Sequence, residues 1–154
     1  VRETLASMIE AWLSGRFRTY PRLPGWQGPP WSLLLVPGWQ GLIGRPLPEV
    51  VARQWSITTN HLLDDLEALP ISRVRCVAHA ELVAEPQQAI ARLAGLLGLE
   101  WDRSLAGELP LSKTTLTAPA KDKWRRHEAA IAEVLPLVEQ ADARARAFLG
   151  RLSG

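Results

Sequence analysis

Pro48-Glu-Val-Val-Ala-Arg-Gln-Trp-Ser-Ile-Thr-Thr-Asn-His-Leu-Leu-Asp-Asp-Leu-Glu-Ala68 decides the fold class. Val51, Trp55, Leu62, Leu63 and Leu66 make an apolar face at helical spacing. Pro48 suits a first helical turn, where a missing N–H breaks no bond. The spacing predicts a helix over 48–68, ended by Pro70. Its last turn carries Asp64, Asp65 and Glu67. Acids there oppose the negative end of the helix dipole, so they call for a basic neighbour from elsewhere in the chain.

Helix also dominates outward from this stretch. Over 2–14, Leu5, Met8, Ile9, Trp12 and Leu13 repeat at helical spacing, and Gly15 is a natural stop. No capping residue precedes Arg2 and Glu3, and Val1 stands in place of Met, so the chain reads as cut from a longer one. Pro86 opens a helix over 86–97 with Ile90, Leu93, Leu96 and Leu97 on one face and Gly98 as its cap. Residues 102–120 read mostly as loop. Residues 121–149 carry the last helices: Trp124, Ile131, Val134 and Leu135 are apolar, and Pro136 starts or kinks a further turn. Only 73–79, Arg-Val-Arg-Cys-Val-Ala-His, alternates as a strand does. One strand forms no sheet alone, so its partners are expected to be absent from this chain or supplied by another. The expected fold is a single unit over 1–154, mainly α with one or two short β-strands.

Residues 16–46 form a long loop rich in Pro, Gly and Trp. It holds an exact repeat, Pro24-Gly25-Trp26-Gln27-Gly28 and Pro37-Gly38-Trp39-Gln40-Gly41. Loops of this length inside a compact domain are often binding loops or lids. The alternative is that the indoles plug the core from outside. Trp31-Ser32-Leu33-Leu34-Leu35-Val36 is a strand or buried coil. The chain has seven Trp against one Tyr and two Phe, so its aromatic surface is indole in character whichever reading holds.

Composition excludes several classes. The 154 residues fit one domain with a real core. The net charge of +2 is spread out, apart from Lys121, Lys123, Arg125 and Arg126, which does not suit a nucleic-acid binder. No long apolar run suggests a membrane span, and no signal peptide is evident at the start. Cys76 is the one cysteine and can form no internal disulfide, which points to a reducing, cytoplasmic setting.

No zinc-type spacing, Walker loop, dinucleotide fingerprint or nucleophile elbow appears. His61, His79 and His127 fall in no motif and read as structural or exposed. Asp64 and Asp65 are general bases or, more simply, a solvated helix face. The anion-binding candidates are stronger. Ser7 sits in the first turns of a helix together with Arg2, a ready phosphate site. Later, Leu111-Ser112-Lys113-Thr114-Thr115-Leu116-Thr117 is followed by Lys121, Lys123, Trp124, Arg125 and Arg126. Hydroxyls, cations and an aromatic suit a phosphorylated nucleotide. A capped helix start with a solvated basic face is the alternative.

The order of these features resembles the C-terminal half of bacterial sulfotransferases that use 3′-phosphoadenosine 5′-phosphosulfate. Arg2-Glu3-Thr4-Leu5-Ala6-Ser7 is similar to the tail of that family's Arg-Asp-Pro-Arg-Asp-x-x-x-Ser motif. Leu63 to Pro70 and then His79-Ala80-Glu81-Leu82-Val83 resemble the approach to its Tyr-Glu-Asp-Leu. Pro86 to Leu99 resembles its helix ending in Leu-Gly-Leu, and Leu109 to Thr117 with Lys123-Trp124-Arg125 its nucleotide-contacting segment. The resemblance implies a truncated α/β, P-loop-type architecture. It implies that the cofactor, 3′-phosphoadenosine 5′-phosphosulfate or 3′,5′-adenosine bisphosphate, is held by Arg2, Ser7, Lys113, Lys123, Trp124 and Arg125. It sets Trp26, Trp31 and Trp39 where acceptors bind, and implies a homodimer through surface left uncovered. The family's 5′-phosphosulfate loop and catalytic base have no counterpart in these residues, so no catalytic residue is assigned and no turnover is expected from this chain alone.

Overall fold

A computed structural model describes residues 1–105, 110–116 and 122–152. The chain runs α1 (Arg2–Ser14), β1 (Arg18–Tyr20), β2 (Trp31–Ser32), α2 (Leu47–Glu67), α3 (His79–Ala84), α4 (Pro86–Leu96), α5 (Glu128–Val134) and α6 (Glu139–Leu152). Short 3-10 turns cover Trp39–Leu42, Ile71–Arg73, Lys123–His127 and Leu135–Leu137. The protein is mainly helical, and β1 and β2 pair antiparallel, Arg18 opposite Ser32 and Tyr20 opposite Trp31. No helix among the described residues is long and apolar enough to cross a membrane.

Helix α2 is the axis of the molecule. It packs against α1, α5 and α6, and its residues Val50, Val51 and Ala52 are buried with Leu5, Ile9, Trp12, Trp31, Ile131 and Val138. The predicted bounds 2–14, 48–68 and 86–97 fall within a residue of α1, α2 and α4. Gly15 takes the left-handed conformation expected of a helix stop, φ 63°. Gly98 does the same after α4, with Leu99 N–H bonded to the Ala94 carbonyl and Gly98 N–H to that of Gly95.

The loop 16–46 is cemented into this core. Each copy of the repeat makes one turn of the same kind. Trp26 N–H bonds to the Leu23 carbonyl at 3.1 Å, and Trp39 N–H to the Val36 carbonyl at 3.3 Å. Proline at the second position and a glycine at positive φ at the third (82° at Gly25, 72° at Gly38) are what a type II turn requires. The two turns deliver Trp26 and Trp39 to one aromatic cluster with Trp12 and Trp31. Ring centroids lie 4.9–6.5 Å apart, tilted or edge to face, within the favoured range for aromatic pairs.

A single side chain ties the cluster to α2. The carbonyl of buried Gln54 accepts from the Trp12 indole N–H at 3.0 Å. Its amide donates to the backbone carbonyls of Ser32, at 3.0 Å, and Leu34. Indole can only donate and the two carbonyls can only accept, so the amide has one orientation that satisfies all three.

The predicted strand over 73–79 is not formed. Ile71–Arg73 make a 3-10 turn, closed by Arg73 N–H to the Pro70 carbonyl at 2.8 Å. Residues 74–78 are extended but unpaired, and His79 opens α3 instead of ending a strand. Val74 is the one residue of the segment that is buried, with Leu63 and Phe148; Cys76 and Ala78, which alternation would set on the same face, are exposed. Among the described residues no second segment pairs with it to complete a ladder. Helix α3, absent from the expected elements, packs on α4, and the two contact chiefly each other.

The acidic end of α2 does find cations. Arg144 of α6 reaches Asp64 at 2.7 Å and also bonds Glu67, while Arg151 reaches Glu67 at 2.6 Å. The Arg144 hydrogen bond first, and Arg151 second, hold the Glu67 carboxyl below its ordinary value of 4.5.

Candidate functional site

Three of the six residues expected to hold a nucleotide come together at the start of α1. Asp122 takes a left-handed conformation, φ 61°, which aspartate tolerates better than most residues. That bend lays the 3-10 turn Lys123–His127 along α1. The Arg2 guanidinium then sits 5.2 Å from the Trp124 ring centroid, and that of Arg125 sits 5.6 Å from it. Both are cation–π distances. Arg125 is also 3.8 Å from exposed Asp122, a separation worth little in water.

Glu10 anchors the turn. Its carboxylate is 2.8 Å from the Lys123 ammonium, 3.8 Å from Arg126 and 4.0 Å from the His127 imidazole. Glu10 and Lys123 are both mostly buried, so this ion pair is stronger than the longer one with exposed Arg126. Lys123 is therefore engaged by the protein itself and does not face the Trp124 surface as an open cation. The sequence reading missed Glu10. A run of five residues with three basic side chains and a histidine, and no acid within it, is a signal that a carboxylate must come from another element.

Ser7 and Lys113 stand apart from the cluster. Ser7 is exposed and lies in the second turn of α1. At about 100° per residue it points about 140° around the axis from Arg2 and about 60° from Glu10. Its hydroxyl is accessible, but it does not share Arg2's face. Lys113 is near the far end of α1: its carbonyl accepts from Arg16 at 3.4 Å. With a rise of about 1.5 Å per residue, Arg2 and Arg16 are separated by about 20 Å along the helix. Lys121 and Thr117, part of the same predicted segment, lie outside the described residues.

A cleft of about 450 Å³ opens beside the Arg2–Trp124 pair. Its floor is apolar, from Leu135 and Val138, and Arg146 stands at its edge. Glu3, Glu139 and Asp142 also line it, and Asp142 is taken up by Arg146 at 2.6 Å. The remaining acids make the cleft interior a poor place for a second phosphate.

The indoles assigned to an acceptor site behave otherwise. Trp31 has 0% exposed surface, so it is a core residue with nothing to offer a ligand. Its N–H is satisfied by the Leu34 carbonyl at 3.0 Å. Trp26 and Trp39 are partly buried against the same core, and the Trp26 N–H closes on the Pro29 carbonyl at 2.7 Å. The hollow beside Trp26 is about 190 Å³, below the volume usual for ligand sites. Among the described residues no group of three or more His, Cys, Asp and Glu could hold a metal ion.

Comparison of the chain with protein-family models, with curated proteins and with solved structures gives no match.

Proposed function

We propose that the chain is a sulfotransferase-like protein that binds the nucleotide 3′,5′-adenosine bisphosphate, or its 5′-phosphosulfate, without transferring the sulfuryl group by itself. One observation carries this reading. Arg2 and Trp124, far apart in sequence, meet at the two segments whose residues resemble the family's nucleotide-contacting motifs. An indole face and guanidinium planes are surfaces on which a planar base can stack, and the guanidinium forks suit a phosphate. In this reading Arg2, Trp124 and Arg125 make the first contacts. The Ser7 hydroxyl is a secondary contact, and Lys123 acts by holding the turn against Glu10. Sulfuryl transfer needs donors aimed at the group in flight. The residues of this chain supply none in the resembling pattern, so binding is expected without turnover.

The other reading, a module that binds small molecules through the Trp-rich loop, loses its support with Trp31 buried and Trp26 and Trp39 packed on the core.

Titration calorimetry with 3′,5′-adenosine bisphosphate tests the proposal, alongside Arg2→Ala/Arg125→Ala. Micromolar binding that is lost in the double variant is the expected result. Equal affinity in the double variant would remove the site, and sulfated product from the purified chain would refute the absence of turnover.

A further inference from the structure

The unpaired segment 74–78 borders a cleft of about 710 Å³. Three features of this segment have no part in the nucleotide reading. First, it is extended at both ends. Val74 (φ −103°, ψ 133°) and Ala78 (φ −74°, ψ 131°) both lie in the β region, and no bend or turn intervenes. Second, its backbone is open. Among the described residues, the N–H and C=O groups of Arg75, Cys76 and Val77 have no hydrogen-bond partner. Arg75 and Cys76 are exposed. Third, the cleft is apolar at its floor and cationic at its rim. Ile71, Val74, Leu96 and Leu149 supply the floor.

The charge of the rim selects the occupant. Arg92 is paired with Glu81 at 2.7 Å, and Arg151 with Glu67. Arg75 has no such partner. Its guanidinium bonds only the carbonyls of Ser72 and Val74, each at 2.8 Å, and among the described residues no carboxylate lies within ion-pair distance. A second copy of this chain would bring another arginine-rimmed cleft against the first, like charge against like. An acidic strand would meet both the open backbone and a guanidinium that has no carboxylate partner among the described residues.

We propose that residues 74–78 accept an extended peptide by strand addition, and that the peptide alternates apolar and acidic side chains. Main-chain hydrogen bonds to 75–77 supply the affinity, the apolar residues enter the cleft, and a carboxylate pairs with Arg75. The strand signal in the sequence of 73–79 is then the signature of a strand completed from outside the chain.

The test is nuclear magnetic resonance of the isotope-labelled full chain, titrated with a capped synthetic peptide that alternates valine and glutamate. The same peptide with lysine for glutamate is the control. Shift changes should centre on 74–78 and the facing ends of α4 and α6. Arg75→Gln should weaken binding about tenfold, as loss of a charged hydrogen bond does. Val77→Pro, which removes a donor that no intrachain bond uses, should weaken it while leaving the circular dichroism unchanged. No shifts at about 1 mM peptide, the weak limit for such contacts, would overturn the proposal. So would equal binding of the lysine peptide, shifts centred elsewhere, or a solution dimer that itself protects 74–78.

Discussion

Loop 16–46 and segment 70–101 both stand out in the sequence, and the structure treats them oppositely. The loop has almost no regular structure, yet it is fastened by four indoles, two type II turns and the Gln54 amide. The later segment has two helices and an extended run, yet α3 and α4 contact chiefly each other. It exposes Val83, Leu96, Leu97 and Leu99, each more than half accessible. Regularity and fixation are thus separate properties. A loop is immobilised when its large side chains are buried and its polar groups are satisfied. Where, among the described residues, the apolar face of a helix pair has little to pack on, its regular hydrogen bonds do not by themselves fix it.

The sharpest way to break this contrast is Trp31→Ala. It removes the centre of the indole cluster from a fully buried site, and should cost about 3–5 kcal/mol of unfolding free energy. Chemical denaturation measures it, and a loss under about 1 kcal/mol would show the loop to be peripheral. Gln54→Leu comes next. It strands the Trp12 indole N–H and the Ser32 carbonyl, so about 2–6 kcal/mol is expected at about 1–3 per orphaned group. Gly25→Ala and Gly38→Ala should each cost about 1–2 kcal/mol, since both glycines sit at positive φ. An added methyl meets no atom within 4 Å at either position, so backbone strain alone acts and the two losses should match. Unequal losses would mean that the two copies of the repeat are not equivalent turns.

The smallest effect concerns the later segment. Glu67 joins α2 to Arg151, whose side chain also lines the 710 Å³ cleft. Its carboxyl is held below 4.5 in the folded chain, so the stabilisation is present above pH 4.5 and is lost as pH falls through the lowered value. Lowering the pH below 4.5 should therefore raise amide exchange in 70–101 before it does so in 16–46. Glu67→Gln should remove that difference.

Much of the helical frame was legible. The helices over 2–14, 48–68 and 86–97 formed at the expected bounds, and the first two bury most of their apolar faces, whereas Leu96 and Leu97 of the third stay exposed. The acids at 64 and 67 demanded a cation, and α6 provides two. The repeat was visible, but its outcome was not. Pro-Gly-Trp fixes a turn locally, whereas the burial of the indole depends on the space between α1 and α2. The strand over 73–79 failed because alternation specifies a strand's faces and says nothing of its partner. At the candidate site, the basic run at 123–126 and Arg2 were readable as cations. That Glu10 would take up Lys123, and that Lys113 would lie at the other end of α1, are facts of tertiary placement.

The most direct measurement is residue-resolved hydrogen exchange with and without 3′,5′-adenosine bisphosphate. The account predicts that the nucleotide slows exchange in 122–127 and the first turns of α1. Amides of 24–41 should be slow in both states and unchanged by ligand. Ligand-dependent slowing centred on Trp26 and Trp39, with none at Trp124, would contradict it and return the binding surface to the loop.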